Sequence, residues 1–395
     1  MSEEKRYEIA SIKALKQQVF SITIQSIGGF VSTFIFGIYR FFLKKHPWVL
    51  AINPPLKDLH GNIYSSFLSR LNSGLHIGLI KPSMKDRIVL SNILIVLFTQ
   101  MFSGILIVLI TWLIIGGDLL LIFETVIPAI ALVSLLMYPF SSYFSIYSYR
   151  KGYDPESLLL PIVMMVADVI TTPVLVGYAI IVESINIFLR HFLFVIALTI
   201  VIIVLILAYR IRTTKTLRII QESQLILISC FLLDIGAGTV FAFNIDLLVK
   251  HPFILLTAPV FNAISGSIAS MYAVRQNVMY HLGLTSLRPG LDKLKYIPYM
   301  YVIMLYGTIV VGSIGYALAT IISKESLLPL WIDLFLIIIT GVVFVPILWI
   351  LIQLLAYLCF KIGFDPDNVM VPLLTSIVDF TGSIIYIGIA QLIIG

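Results

Sequence analysis

The chain has 395 residues, 59% of them hydrophobic and 12% charged, with a mean hydropathy of +1.05. A water-soluble globule of this composition would expose more apolar surface than soluble folds tolerate, so the chain reads as a polytopic membrane protein. The formal charge of +6 says little by itself, because in a membrane protein the placement of Lys and Arg matters more than their sum.

The first residues, 1–17, form a polar, amphipathic tail without a small-residue cleavage site, so no cleaved signal peptide is expected and the first membrane helix serves as its own insertion signal. Apolar runs of about 20 residues, enough to cross a hydrocarbon layer of about 30 Å, follow near 18–42, 47–69, 88–115, 122–147, 155–182, 190–209, 221–248, 252–274, 297–322, 328–359 and 366–394. These predict eleven transmembrane helices in an all-α fold. Cys230 and Cys359 lie in apolar stretches and suit packing better than a disulfide or metal cluster.

Two pairs of segments repeat. YDPESLLLPIVMMVAD at 153–168 recurs as FDPDNVMVPLLTSIVD at 364–379, so that Asp154, Pro155, Pro161 and Asp168 return as Asp365, Pro366, Pro372 and Asp379 without a gap. His46-Pro47, Pro54, Gly61, Arg70, Asn72, His76 and Gly78 return as His251-Pro252, Pro259, Gly266, Arg275, Asn277, His281 and Gly283. The expected organisation is a five-helix repeat over 18–184, a linker helix over 185–213 and a second five-helix repeat over 214–395. An odd linker after an odd repeat makes the two halves parallel. With the N-terminus inside, one face collects most cations, among them Lys5, Arg6, Arg70, Lys81, Lys85, Arg150, Lys151, Arg210, Arg275 and Lys361; Arg40, Lys44, Lys45, Arg190, Lys250 and Lys324 fall on the other. That bias predicts a cytoplasmic N-terminus and an external C-terminus in the cell membrane.

Asp154 and Asp365 precede Pro and a first-turn acid, the pattern of a helix start, with a cytoplasmic pore mouth as an added reading. Asp168 and Asp379 lie fourteen residues further on, about 21 Å along a helix and within the hydrocarbon span. A carboxylate there is costly unless it meets water, a cation or a partner, so it is a functional candidate by default. Pro161 and Pro372, about two turns earlier on the same face, free a backbone carbonyl each. Two carboxylates at equal height repel unless a cation lies between them, and a hydrated hard divalent ion such as Mg²⁺ suits them. The alternatives are a bond to a neighbouring hydroxyl, or a proton.

The second helix of each half adds a polar lining: Pro54, Asp58, Gly61 and Asn62 in the first, and Pro259, Gly266 and Ser267 in the second, with Ser376 near Asp379. Small residues also serve close helix packing. Asp234, beside Gly236 and Gly238, is a single acid that either joins the pathway or bonds to a hydroxyl. No phosphate loop, catalytic triad or nucleic-acid patch occurs, so neither enzyme chemistry nor a resident cofactor is expected.

With G-F-D-P-D-N-x₃-P-x₆-D at 363–379, G-Y-D-P-E-S-x₃-P-x₆-D at 152–168 and the PPLKDLHGN and PVFNAISGS segments, the chain resembles the MgtE-type magnesium transporters, and especially their two-repeat relatives of solute carrier family 41. The resemblance implies a pore between two five-helix units, lined by second and fifth helices, with the family's Mg²⁺-site Asp mapping onto Asp168 and Asp379. Homodimeric members carry sensor and CBS domains ahead of the membrane part, and none is seen here, so one polypeptide is expected to supply both halves as a monomer. Departures are Tyr64, where the solute-carrier relatives have an acid, Ser267 in place of Asn, and Met164-Met165 where the second copy has Thr375-Ser376. The reading is a transporter or channel for divalent cations, driven by the membrane potential or a Na⁺ or H⁺ gradient, in lipid and without nucleic acid. A secondary transporter of another substrate and a non-transporting scaffold are the alternatives.

Overall fold

The computed structural model of the chain describes residues 3–84, 86–151, 155–210, 214–281, 294, 296–323, 328–362 and 366–394. Its elements are the helices α1 (Glu3–Ile38), α2 (Arg40–Lys45), α3 (Trp48–His76), α4 (Arg87–Ile115), α5 (Leu119–Lys151), α6 (Pro155–Ser184), α7 (Ile187–Arg210), α8 (Thr214–Phe243), α9 (Ile245–Lys250), α10 (Pro252–His281), α11 (Ile297–Ile322), α12 (Leu330–Ile362) and α13 (Pro366–Ile394). Each of the eleven predicted spans has its helix, and the chain is an all-α polytopic membrane protein. Among the described residues, nine helices are long and apolar enough to cross a bilayer. The described apolar part of α7 is the shorter Ile187–Ile203, and α3 is diluted by Asn53, Lys57, Asp58, His60 and Asn62.

Two of the predicted spans, 18–42 and 221–248, are interrupted. α1 stops before Tyr39 and α8 before Asn244, and a six-residue helix follows each break at the same place in both repeats. Arg40, Asn244 and Asp246 stand among apolar residues at the two breaks, so the average hydropathy does not reveal them. Each short helix buries a single leucine, Leu43 or Leu248, and carries charges at its ends. Lys44 and Asp246 pair at 2.7 Å, but both are largely exposed and the contact contributes little. His46-Pro47 and His251-Pro252 then start α3 and α10, where a proline costs nothing because the first N–H groups of a helix lack intrahelical partners.

The helices form two compact units, Lys45–Ala242 and Met1–Lys44 with Phe243–Gly395. The first holds α3 to α7 together with α8, the opening helix of the second sequence repeat. The second holds α9 to α13 together with α1, the opening helix of the first repeat. In the second unit Gly29 of α1 lies against Val260 of α10, and Thr23 shares a 2.8 Å hydrogen bond with Tyr306 of α11. In the first unit Gly238 of α8 meets the backbone of Leu50 and Ala51 in α3. The opening helices are thus exchanged between the repeats.

Each unit is apolar outside as well as inside. Leu113, Phe188, Trp331 and Leu392 are more than two-thirds exposed, as expected where lipid is the solvent. Several hydroxyls inside the helices are satisfied by their own helix. Ser26, Thr99, Thr125, Thr257 and Thr340 donate to the carbonyl four residues back. The linker helix α7 docks in the first unit through a charge cluster: the fully enclosed carboxylate of Glu124 in α5 pairs with Arg190 at 2.5 Å and with His191 of α7. An acid so enclosed is tolerable only with such partners.

The contact at Gly238 can be tested. A Cβ there would lie 2.5 Å from the Ala51 carbonyl oxygen and 2.7 Å from Ala51 Cα and the Leu50 carbonyl oxygen, so Gly238→Ala must push α8 away from α3 at a cost of about 1–3 kcal/mol. At Gly177, in α6, an added methyl would meet nothing within 4 Å. Thermal unfolding in detergent is expected to show a lowered midpoint for Gly238→Ala and no loss for Gly177→Ala.

Candidate functional site

In the first unit α3 and α6 pack antiparallel, because residues later in α3 meet residues earlier in α6. The Asn53 side-chain oxygen accepts from Thr172 Oγ1 at 2.8 Å, and Gly61, eight residues later, faces the end of Met164, eight residues earlier. Two turns of each helix separate these contacts. Halfway between them, four residues from each, stand Lys57 and Asp168. Both are half-buried.

His60 adds a second tie between the helices. Its Nδ1 lies 2.8 Å from Thr171 Oγ1, whose own proton goes to the Ala167 carbonyl at 2.7 Å. A hydroxyl has one proton to give, so His60 Nδ1 is the donor and Nε2 carries the lone pair. That Nε2 is buried and has no hydrogen-bond partner among the described residues. On α3 itself, Asn62 donates to Asp58 Oδ2 at 2.8 Å.

The second unit repeats the arrangement with different chemistry. Gly266 of α10 faces Thr375 of α13, its methyl position 3.6 Å from Thr375 Cγ2, as Gly61 faces Met164. One turn away, Asn262 occupies the position of Lys57 and meets the residue that corresponds to Asp168. Its Nδ2 donates to the Asp379 carbonyl at 3.0 Å and to Ser383 Oγ at 2.7 Å, and Ser383 donates to the same carbonyl at 2.7 Å. The Asp379 side chain is half-buried. Close approach is possible because residue 382 is glycine: a Cβ there would come within 2.5 Å of Asn262 Oδ1.

The other sequence candidates fall as follows. Pro54 and Pro259 lie inside α3 and α10, and Pro372 inside α13; Pro161 falls within α6. Ser376 is buried in α13, and Asp234 is fully buried in α8, one turn before Gly238. Ser267 donates to Gln25 of α1 at 2.6 Å, so its hydroxyl is engaged by the exchanged helix. Asp154 and Asp365 lie outside the described residues. Lys57, Asn53, Thr171, Thr172, Asn262 and Ser383 do not stand out from sequence. Their signal is the spacing of 53, 57 and 61, which places three residues along one helix face. Among the described residues no three His, Cys, Asp or Glu side chains gather into a metal-binding group.

One half-buried carboxylate, set at the same step of the helix pair, recurs in each repeat. A family model, MgtE: Divalent cation transporter, matches residues 53–178 and 258–389, together more than half of the chain and including all of these positions. The chain belongs to the MgtE divalent cation transporter family. Each MgtE match spans the second to the fifth long helix of one repeat, so the chain carries the MgtE membrane unit twice. No curated protein and no solved structure matches it.

In this MgtE chain Asn262 ties α10 to α13 by two hydrogen bonds at once. Asn262→Ala leaves the Ser383 hydroxyl and one face of the Asp379 carbonyl with a poorer set of partners, and a loss of about 1–3 kcal/mol is expected. The unfolding midpoint in detergent measures it, and Asn262→Asp, which keeps the shape but not the donor, is expected to fall as well.

Proposed function

We propose that the chain moves Mg²⁺ across the cell membrane, with Asp168 and Asp379 as the intramembrane groups that meet the hydrated ion. The observation that carries this is the recurrence of one half-buried aspartate at one step of the α3/α6 and α10/α13 pairs, in segments that match a divalent cation transporter family. A carboxylate held within a span favours a cation, and Mg²⁺ keeps much of its water, so single acids with amides and hydroxyls nearby suit it better than a dehydrating cage. The duplicated sequence supports a pathway shared by the repeats 18–184 and 214–395, with a single polypeptide as the working unit. The positive-inside bias supports a cytoplasmic N-terminus.

The membrane potential supplies about 2.3 kcal/mol per charge for each 100 mV, hence about twice that for a divalent ion. No second driving force is needed for entry, although a Na⁺ or H⁺ gradient is compatible with the same site.

The test is Mg²⁺ flux into proteoliposomes bearing the native chain or the double variant Asp168→Asn with Asp379→Asn, with and without Na⁺ and pH gradients. Flux in the native protein and a loss of at least about tenfold in the double variant are expected, since each charge removed weakens an ion contact worth more than one factor of ten. Undiminished flux in the variant would move the site elsewhere. Proton movement that ignores divalent ions would favour a secondary transporter of another substrate.

A further inference from the structure

The second unit has a crevice at the end of α10, lined by Tyr272, Arg275 and Gln276 of that helix, Tyr296 beside the start of α11, and Trp349 and Gln353 of α12. A reciprocal amide pair fixes its wall: Gln276 Nε2 donates to Gln353 Oε1 at 2.8 Å, and Gln353 Nε2 donates to Gln276 Oε1 at 2.7 Å. The other Gln276 hydrogen goes to the Tyr280 hydroxyl. Gln353 is only 5% exposed, yet its amide keeps a second N–H that no described residue accepts. Arg275 is exposed, and among the described residues no acid pairs with it. Tyr272 and Tyr296 close one side, their ring centres 6.3 Å apart.

The crevice encloses about 10 Å³, room for one water-sized group. One oxygen of an oxyanion has that size and can accept the spare Gln353 N–H, while Arg275 at the rim offers the planar fork that suits a phosphate. Deeper in the span the neighbouring surface is apolar. Val302, Leu305 and Ile309 of α11 are exposed and follow at i, i+3 and i+7, one stripe of the helix. A second crevice, of about 160 Å³, lies between α11 and α12 at that depth, lined by Val302, Leu305, Ile338 and Val342 among others. The charge bias puts the end of α10 on the cation-rich face, and in sequence Lys293 and Lys295, both outside the described residues, directly precede Tyr296. Anionic lipid is drawn to such runs. An interfacial aromatic belt with a snorkelling arginine would account for Tyr272, Trp349 and Arg275; it does not call for a buried amide pair with a donor to spare. The first repeat lacks the arrangement: Arg70 donates to Ser66 of its own helix at 2.8 Å, and Leu71 and Ser142 stand where the second repeat has Gln276 and Gln353.

We propose that this crevice binds the phosphate of an anionic membrane lipid. One phosphate oxygen enters to meet the Gln353 N–H, Arg275 balances the charge, and an acyl chain lies along the apolar surface of α11 and α12. The lipid then ties α10, α11 and α12 together at the membrane edge, so the stability of the second unit depends on lipid composition. The site is independent of which residues carry the transported ion.

The test titrates the full chain, purified in detergent and stripped of lipid, with phosphatidylglycerol, phosphatidylcholine or inorganic phosphate while the thermal unfolding midpoint is read. Phosphatidylglycerol is expected to raise the midpoint well above the other two. Arg275→Gln changes an exposed side chain and is expected to raise the half-effective concentration of phosphatidylglycerol about tenfold, because a charge-assisted hydrogen bond is lost. Gln353→Leu removes a neutral donor and is expected to raise it about threefold, each variant being read against its own lipid-free midpoint. Lys361→Gln removes an exposed cation at the end of α12, outside the crevice, and stays within about twofold of native, since an exposed charge contributes little. Equal shifts with both lipids, a preference for phosphatidylglycerol that survives Arg275→Gln, or the same loss in Lys361→Gln would overturn the site in favour of general attraction to a basic face. An equal shift with inorganic phosphate would overturn a lipid as its occupant.

Discussion

Everything in this chain that is polar and lies within a membrane span has to be satisfied by another part of the chain, by water or by an ion. The register between α3 and α6, and between α10 and α13, is where that constraint bites hardest. Asn53 with Thr172 and His60 with Thr171 hold the first pair, and Asn262 with Ser383 and the Asp379 carbonyl holds the second. A slip of one residue along either helix would turn its side chains by about 100°. The aspartates would then leave their partners and face lipid or packed side chains. The apolar helices around these pairs have no comparable demand, since Leu, Ile and Phe are as content against lipid as against each other.

The duplication is therefore legible in sequence but its packing is not. Each repeat contributes its opening helix to the other unit: α1 lies with α10 and α11, and α8 lies with α3. A unit completed in this way cannot be assembled from one repeat alone. The breaks at Tyr39 and Asn244 supply the turn that permits the exchange, because each ends an opening helix and starts a short one before the His-Pro step. Hydropathy misses the break, as the few polar residues there are outweighed by apolar neighbours. It also misses the exchange, because membrane helices of similar apolarity give no sequence record of which neighbour they choose.

What is visible in the sequence is decided by cost. Asp168 and Asp379 stand out because a buried acid is expensive and this one occurs twice at a matching place. The number of long helices stands out because twenty or so apolar residues in a row have few other uses. Asn53, Thr172, Asn262 and Ser383 do not stand out, since a single amide or hydroxyl in a membrane helix is cheap when its own helix or a neighbour accepts it. Their role appears only when two helices are placed side by side. Ser267 shows the reverse: its place beside Gly266 makes it a pathway candidate, yet its hydroxyl turns to Gln25 of the exchanged helix.

Gene duplication within one chain lets the two copies diverge, which two identical subunits cannot do. Residue 57 and its counterpart 262 show the divergence. Asn262 ties α10 to α13 by donating to the Asp379 carbonyl and to Ser383, whereas the first repeat has lysine at that step and makes the tie between α3 and α6 one turn to either side, with Asn53 on Thr172 and His60 on Thr171. The same helix pair is held in register in both repeats, but by different groups at different steps, because each buried polar group needs only some partner and not a particular one.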